Sequence, residues 1–562
     1  MPAAPATLAE LLLQRAAAKP DARAVLFLSD AGTGEARLTY GELAQQAGAL
    51  ACRLAARSTR GDRAVLMLPT GLDFVIGLFG CALAGLVAVP MMPPRRLATR
   101  DFSRRIVADC APRLLLTSSA MAQGMIPARL AQAGMDCILL DAPDGDAVEP
   151  KLPAADDLAV LQYTSGSTSA PKGVMVSHAN LLANLEAIRL ATGGCGHSTF
   201  VNWSPLFHDL GLVMDLLQPL YLGGRAVLMR PAAFVQRPLH WLKAIHGLGA
   251  EMAGGPNFAF DLCVDRFRPE QMEGVDLSCW KVAFCGAEPV RAGTLARFAS
   301  TFAPYGFDAR AFYPAYGLAE ATLLVTAGRR GAGATVCTVS ARALQAGRAE
   351  PPADVADARE LVACGLPVAG TRIAIVDPVT RAPLPPQAIG EIWISGPGVA
   401  QGYWRNETAT LHGFRARIAG EEAEWLRTGD LGYLDDRGAL VVTGRIKDLM
   451  IVRGVNHYPQ DVEETVARAH PALLGGASAA FTAPAGERII VVAEVERSSR
   501  RSLLHAEIVD AVREAVARDH ELSVQDVGLL RPGGLPKTTS GKVQRRRIAE
   551  LWAGGGLDVL QP

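Results

Sequence analysis

The 562-residue sequence has no surplus of either charge: 56 lysines and arginines balance 56 aspartates and glutamates. A nucleic-acid binder normally carries a basic excess, so nucleic acid is excluded as the principal partner. The ten cysteines (52, 81, 110, 137, 195, 263, 279, 285, 337 and 364) include no C-x-x-C pair and no cysteine–histidine cluster at zinc spacing. That predicts scattered buried thiols in a reducing compartment. Met1 to Pro20 has no basic segment followed by an apolar one, so no secretory leader is read there. Long hydrophobic runs are missing too. The stretch Phe74 to Pro90 is broken by Gly77, Gly80 and Gly85, and reads as a buried helix (74–84) turning at Gly85 into a strand (86–89). The expectation is a cytoplasmic protein that is not integral to a membrane.

Several catalytic signatures are absent as well. No G-x-x-x-x-G-K-[ST], no G-x-G-x-x-G after a strand, no G-x-S-x-G and no H-E-x-x-H occurs. These absences argue against P-loop ATPases, dinucleotide dehydrogenases, α/β-hydrolases and zincins. No internal repeat of 20–50 residues stands out either.

What is present is ordinary globular composition, 49% hydrophobic and 20% charged. At roughly 150 residues per domain the length suits three or four folding units. Short apolar runs (Ala24–Leu28, Arg63–Leu68, Val87–Val89, Leu114–Thr117, Cys137–Leu140) alternate with helical spacing such as Leu43–Ala55, which predicts α/β units with largely parallel sheets. Residues 328–360 interrupt this rhythm and read as a surface insertion. Further on, turn chemistry at Asp435–Gly438 separates strand-like runs, and helices are expected over 461–469 and 503–518.

The strongest motif is Tyr163-Thr-Ser-Gly-Ser-Thr-Ser-Ala-Pro-Lys-Gly173. A strand over 158–163 leads into it and a helix starting near Ser177 leaves it. Small hydroxyl residues and glycine let the backbone approach a polyphosphate, and Lys172 adds a cation. In the same order along the chain follow Phe207-His-Asp-Leu-Gly211, Gly286-Ala-Glu-Pro289, Tyr316-Gly-Leu-Ala-Glu320, Thr428-Gly-Asp430, Gly444-Arg-Ile-Lys-Asp448 and Pro536-Lys-Thr-Thr-Ser-Gly-Lys542.

With these motifs the chain resembles the adenylate-forming superfamily of acyl-CoA synthetases, peptide-synthetase adenylation domains and luciferases. Gly254–Cys263, Phe312–Thr322 and Gly444–Pro459 narrow the resemblance to the fatty acyl-AMP ligases. The resemblance implies the α/β adenylate-forming (ANL) fold: a large multi-sheet N-terminal domain, 1–446, and a small mobile α+β C-terminal domain, 447–562. A family-type insertion would fall near 335–358. It also implies ATP- and Mg²⁺-dependent activation of a fatty acid to acyl-adenylate with release of pyrophosphate. The acyl group would then pass to the phosphopantetheine thiol of an acyl carrier protein. Two alternatives stay open: an acyl-CoA synthetase using free CoA, and a non-catalytic acyl-adenylate sensor.

By the same resemblance Lys542 would contact the reacting carboxylate and α-phosphate, and Glu320 and Thr168 would hold Mg²⁺. Thr164, Ser165, Gly166, Ser167, Thr168 and Lys172 would take the phosphates. Gly286, Ala287, Glu288, Ala315, Tyr316 and Gly317 would line the nucleotide site, with Tyr316 stacked on adenine. Asp430, helped by Arg445, would bind the ribose hydroxyls. His208 would narrow the entrance to the acyl tunnel, lined by Gly255, Pro256 and Asn257, with Met214, Leu217 and Phe258 more loosely implied. Lys447 would be the hinge. Ala319 and Ser169 depart from the wider superfamily, which has threonine and glycine there. The tandem Arg545-Arg546-Arg547 suggests a docking surface for an acidic carrier protein.

Overall fold

Aliphatic runs too short for helices form the strands of two large sheets, and the helices between them cover the faces. The computed structural model describes residues 4–29, 35–93, 97–124, 134–141, 148–164, 171–483, 488–496, 505–537 and 542–561. In the first sheet Arg63–Leu66 runs parallel to both Val87–Pro90 and Leu114–Thr117. Asp136–Leu139 extends one side and Leu158–Thr164 the other, all parallel. The edge strand, Lys172–Ser177, is antiparallel to Leu158–Thr164. The stretch that raised a membrane span is the helix Leu72–Leu83 followed by Gly85 at φ 68° and the strand Val87–Pro90. From Phe74 onward its helix is apolar all round because it is buried there on every side but that of Ile76. At Gly80 a Cβ would lie 2.7 Å from the Leu50 side chain of the helix Tyr40–Ala55. Among the described residues no helix is long and apolar enough to cross a membrane.

The second sheet has nine strands. Six are parallel, in the spatial order Arg23–Leu28, Arg225–Leu228, Thr199–Asn202, Met252–Gly255, Val282–Cys285 and Phe312–Gly317. Glu35–Thr39 at one edge, and Leu324–Ala327 with Leu366–Pro367 at the other, are antiparallel. The expectation of largely parallel sheets therefore holds for these two. It fails for the third sheet, Arg372–Val376, Gly390–Ser395, Leu426–Leu434 and Leu440–Arg445, which is wholly antiparallel. For its last strand pair the physical reason is loop length: the turn at Asp435–Gly438 can close only a hairpin.

Residues 336–362 form a separate unit. Val336–Ser340 pairs antiparallel with Ala358–Val362, and the short helix Ala341–Gln345 follows the first strand. Beyond the hairpin Met450–Val452/Val455–His457, a three-stranded sheet (Ser478–Thr482, Ile489–Glu494, Val524–Leu530) packs with the helices Pro459–Ala469, His505–His520 and Arg545–Ala553. Met450, Val462, Val466, Val491, Val512, Val516 and Leu529 give it a core of its own. All ten cysteines are free thiols. Cys137 and Cys195 are exposed, however, which corrects the expectation of uniform burial.

Candidate active site

The carboxyl ends of the parallel strands open toward one cleft. Val282–Cys285 runs into Gly286, where a Cβ would come within 2.6 Å of the Ala315 carbonyl oxygen. Only glycine lets that strand end close on Phe312–Gly317. Ala287 follows in the left-handed region, at φ 68°, an uncommon place for a residue with a Cβ. The buried amide of Asn257 fixes this turn. Its Nδ2 donates to Glu288 Oε1 (3.0 Å) and to the Pro289 carbonyl (2.8 Å), and its Oδ1 accepts from the Arg291 N–H (2.9 Å). Asn257, expected on an acyl tunnel, thus serves the 286–291 turn. Gly255 does face an aromatic wall: a Cβ there would lie 3.0 Å from the ring of Trp203, which stacks on Phe234 (4.0 Å between centroids) and meets Phe258 edge-on. Pro256 caps the helix Asn257–Asp265.

Tyr316 and Asp430 meet across the cleft. The Tyr316 hydroxyl donates to Asp430 Oδ2 at 2.8 Å, and Arg445 Nε lies 2.8 Å from Oδ1. Pairing of the strands Leu426–Leu434 and Leu440–Arg445 puts Asp430 and Arg445 opposite each other. Burial and then the Asp430 charge push the Tyr316 phenol up. Asp430 Oδ1 accepts no aligned hydrogen bond, so it keeps lone pairs for a hydroxyl donor.

Glu320 sits on a tight turn, Ala319–Ala321, ended by Thr322 at φ 67°. A β-branched residue there is strained, and its hydroxyl holds the turn by donating to the Gly398 carbonyl (2.7 Å). Burial raises the Glu320 carboxyl, against the opposing pull of a hydrogen bond from Tyr403 and the charge of Arg445. The Tyr403 hydroxyl donates to Glu320 Oε1 at 2.9 Å, and Lys172 Nζ lies 4.7 Å from the Tyr403 ring centroid. Lys172 is opposite Thr164 in the strand pair that brackets the phosphate-loop motif. Ser165, Gly166, Ser167, Thr168 and Ser169 lie outside the described residues.

His208 Nδ1 is 2.5 Å from Asp209 Oδ1, which also accepts from the Leu210 N–H (2.7 Å). Burial alone would raise Asp209, but the charges of His208 and Lys542 hold it below the usual range. Lys542 comes from beyond the third sheet and reaches this cleft. Burial and Arg445 lower its ammonium, opposed by Asp209, Glu288 and Asp430. At Lys447, partial burial and the charges of Lys172, Arg546 and Arg445 act the same way.

The structure therefore gathers Lys172, Glu288, Tyr316, Glu320, Asp430, Arg445 and Lys542 around one cleft. Sequence reasoning missed two participants. Asp209 stood inside a quoted motif without a role. Tyr403 had only the aromatic pair after Gly402 as a signal. Among the described residues no group of three or more histidines, cysteines, aspartates or glutamates could hold a metal. The buried Glu320 carboxylate, linked to Lys172 through Tyr403, suits a Mg²⁺ that arrives on phosphates and keeps water ligands, rather than a resident ion. One expectation is corrected: Arg545 is half-buried in an ion-pair cluster rather than presented as a free surface cation. It is held by Glu463 and Asp448, and only Arg546 and Arg547 stay exposed.

Comparison with known proteins identifies the family of the chain as a whole. Residues 12–404 match the family described as AMP-binding enzyme. Residues 447–561 match a second, the AMP domain of Disco-interacting protein 2-like proteins. A medium-chain-fatty-acid–acyl-carrier-protein ligase of Moorena producens is 41% identical over 98% of this chain and 96% of its own length. A long-chain-fatty-acid–AMP ligase of Mycobacterium bovis is 34% identical over 100% and 99%. The crystal structure of a fatty acyl-adenylate ligase from L. pneumophila, in complex with acyl adenylate and pyrophosphate, superposes with a TM-score of 0.78 at 37% identity, covering 98% of this chain and 96% of that one.

Proposed function

Because the chain belongs to the AMP-binding enzyme family and, within it, to the fatty acyl-AMP ligases, we propose that it activates a fatty acid with ATP and passes the acyl group to the phosphopantetheine thiol of an acyl carrier protein. In the first step a carboxylate oxygen attacks the α-phosphorus, the bond to the bridging oxygen of the β-phosphate breaks, and pyrophosphate leaves. A carboxylic acid with a pKa of about 4–5 is already ionised at neutral pH, so no general base is required. The task is to bring two anions together and stabilise charge at phosphorus.

Each group in the cleft suits part of that task. Asp430, with a free lone pair and Arg445 beside it, takes ribose hydroxyls. Tyr316 packs on adenine, with Gly286 to Glu288 opposite. Lys172, with Thr164 and the 165–168 residues, takes phosphate, and Lys542 neutralises the carboxylate and α-phosphate oxygens. Glu320 holds Mg²⁺ together with Thr168, and the ion supplies charge neutralisation on the triphosphate. The wall at Gly255 and Trp203 accepts the alkyl chain, where each buried CH₂ contributes about 0.8 kcal/mol. The convergence of Asp430, Glu320 and Lys542 from separate parts of the chain is the observation that carries this reading.

For the second step we place the division between large and small units at 446/447, with Lys447 as hinge. The inserted 336–362 unit restrains the small one. Tyr458 packs against Val339, Leu344 and Ala349, and Arg359 pairs with Asp461 at 3.5 Å. The test offers labelled dodecanoate, ATP and Mg²⁺ with no acceptor, with CoA, or with a phosphopantetheinylated carrier protein. Acyl-adenylate that the carrier consumes and CoA does not is the expected result. Rapid acyl-CoA formation would make the protein a CoA synthetase and refute the restraint. Absence of pyrophosphate with every fatty acid would leave a non-catalytic binder.

A further inference from the structure

We infer that Arg545 is a positioning residue: it ties the Lys542 segment to the hinge connection and sets that lysine for adenylation. The inference rests on the role given to Lys542 above. The Arg545 guanidinium grips Glu463 in a fork, Nε to Oε1 at 2.6 Å and Nη2 to Oε2 at 2.7 Å. Its Nη1 donates to Asp448 Oδ2 at 3.2 Å. Side-chain exposures of 22% for Arg545, 9% for Glu463 and 19% for Asp448 mark this as an enclosed triad, not a surface pair.

Its place in the chain gives it consequence. Arg545 opens the helix Arg545–Ala553, three residues after Lys542. Asp448 directly follows Lys447. Glu463 is itself fixed to the three-stranded sheet, because its Oε1 accepts the Ala480 N–H at 3.0 Å. The opposite side of the Lys542 segment is anchored in the same manner. Glu494 accepts from the Leu535 N–H (2.9 Å) and the Lys537 ammonium (3.3 Å), while the Gln544 N–H donates to the Pro536 carbonyl (3.0 Å). A lysine on a four-carbon stem is a poor positioning device unless its backbone is held. An error of about 1 Å in a reacting group can cost on the order of 10²-fold in rate. The fork on Glu463 and the strap to Asp448 hold that backbone, and make hinge and lysine move as one body.

The test compares Arg545→Ala, Arg545→Lys, Glu463→Gln and Lys542→Ala, with the double variant of Arg545 and Lys542. Two half-reactions are measured apart: pyrophosphate release from ATP and fatty acid, and transfer from supplied acyl-adenylate to carrier protein. Arg545→Ala is expected to lower kcat for adenylation roughly 10–100-fold with little change in the KM for ATP. Transfer from supplied acyl-adenylate stays as in the parent. Arg545→Lys keeps the charge without the fork and recovers part of the rate, and Glu463→Gln shows the same split between half-reactions. In the Lys542→Ala background, removing Arg545 changes nothing further. Full adenylation by Arg545→Ala, an equal fall in both half-reactions, or an additive loss in the double variant would each overturn the inference. A fully active Lys542→Ala would overturn it together with the role of Lys542, whereas an inactive Lys542→Ala beside an unimpaired Arg545→Ala removes the inference alone.

Discussion

One phenol joins the acidic and basic sides of the cleft. Tyr403 donates a hydrogen bond to Glu320 Oε1 and offers its ring face to Lys172. The two roles can be separated by substitution. Tyr403→Phe keeps the ring and removes the donor, so Lys172 holds its place while Glu320 loses a hydrogen bond to a charged acceptor, worth about 1.5–3 kcal/mol. The expected outcome is a fall in pyrophosphate release on the order of tenfold, partly restored by raised Mg²⁺, because Glu320 is then free to turn. An unchanged rate would show that the turn Ala319–Ala321 fixes the carboxylate unaided.

At the scale of elements, the helix Leu210–Leu217 carries an anomaly. Asp215 is 1% exposed, and neither carboxylate oxygen accepts an aligned hydrogen bond. Burial drives its carboxyl well above the ordinary range, with Ser204 opposing. A folded-state pKa above the unfolded one means stability that is full at low pH and lost as pH rises through the folded value. Asp215→Leu should therefore raise thermal stability by at least about 1 kcal/mol, and more at pH 8 than at pH 5, by unfolding scans at both. Elements differed in how plainly they could be read. Leu114–Thr117 and the helix after Ser177 were legible because apolar period and a capping serine mark them. The strand Lys172–Ser177 was not, since its apolar residues are few and adjoin a loop rich in serine and threonine. Tyr316, Glu320 and Asp430 were legible because each stands in a motif. The Tyr403–Glu320 bond spans 83 positions and the Arg545–Glu463 pair 82, and no local pattern encodes a partner that distant. Arg545 consequently read as one of three equivalent basic residues.

Over the whole molecule, the contact between the 336–362 unit and the small C-terminal unit should respond to pH. Burial lifts Asp461 from 3.8 to about 6, against the charge of Arg359. The folded pKa again lies above the unfolded one, so this contribution is complete below about pH 4 and is lost as pH rises through about 6. Asp461→Asn should match the parent in stability at pH 4 and exceed it by on the order of 2–3 kcal/mol at pH 8, checked by denaturant unfolding at the two pH values. A constant difference would mean that Arg359 compensates the charge fully. The reach of Lys542 into a cleft built by residues 164–445 has a consequence for synthesis. That lysine leaves the ribosome after Lys172, Glu288, Tyr316, Glu320, Asp430 and Arg445, and domains fold in the order in which they emerge. A growing chain can thus cradle a nucleotide before it is able to forge a mixed anhydride. With Lys542 in its proposed role, a half-finished polypeptide would lack the positive charge that formation of the reactive acyl phosphate needs.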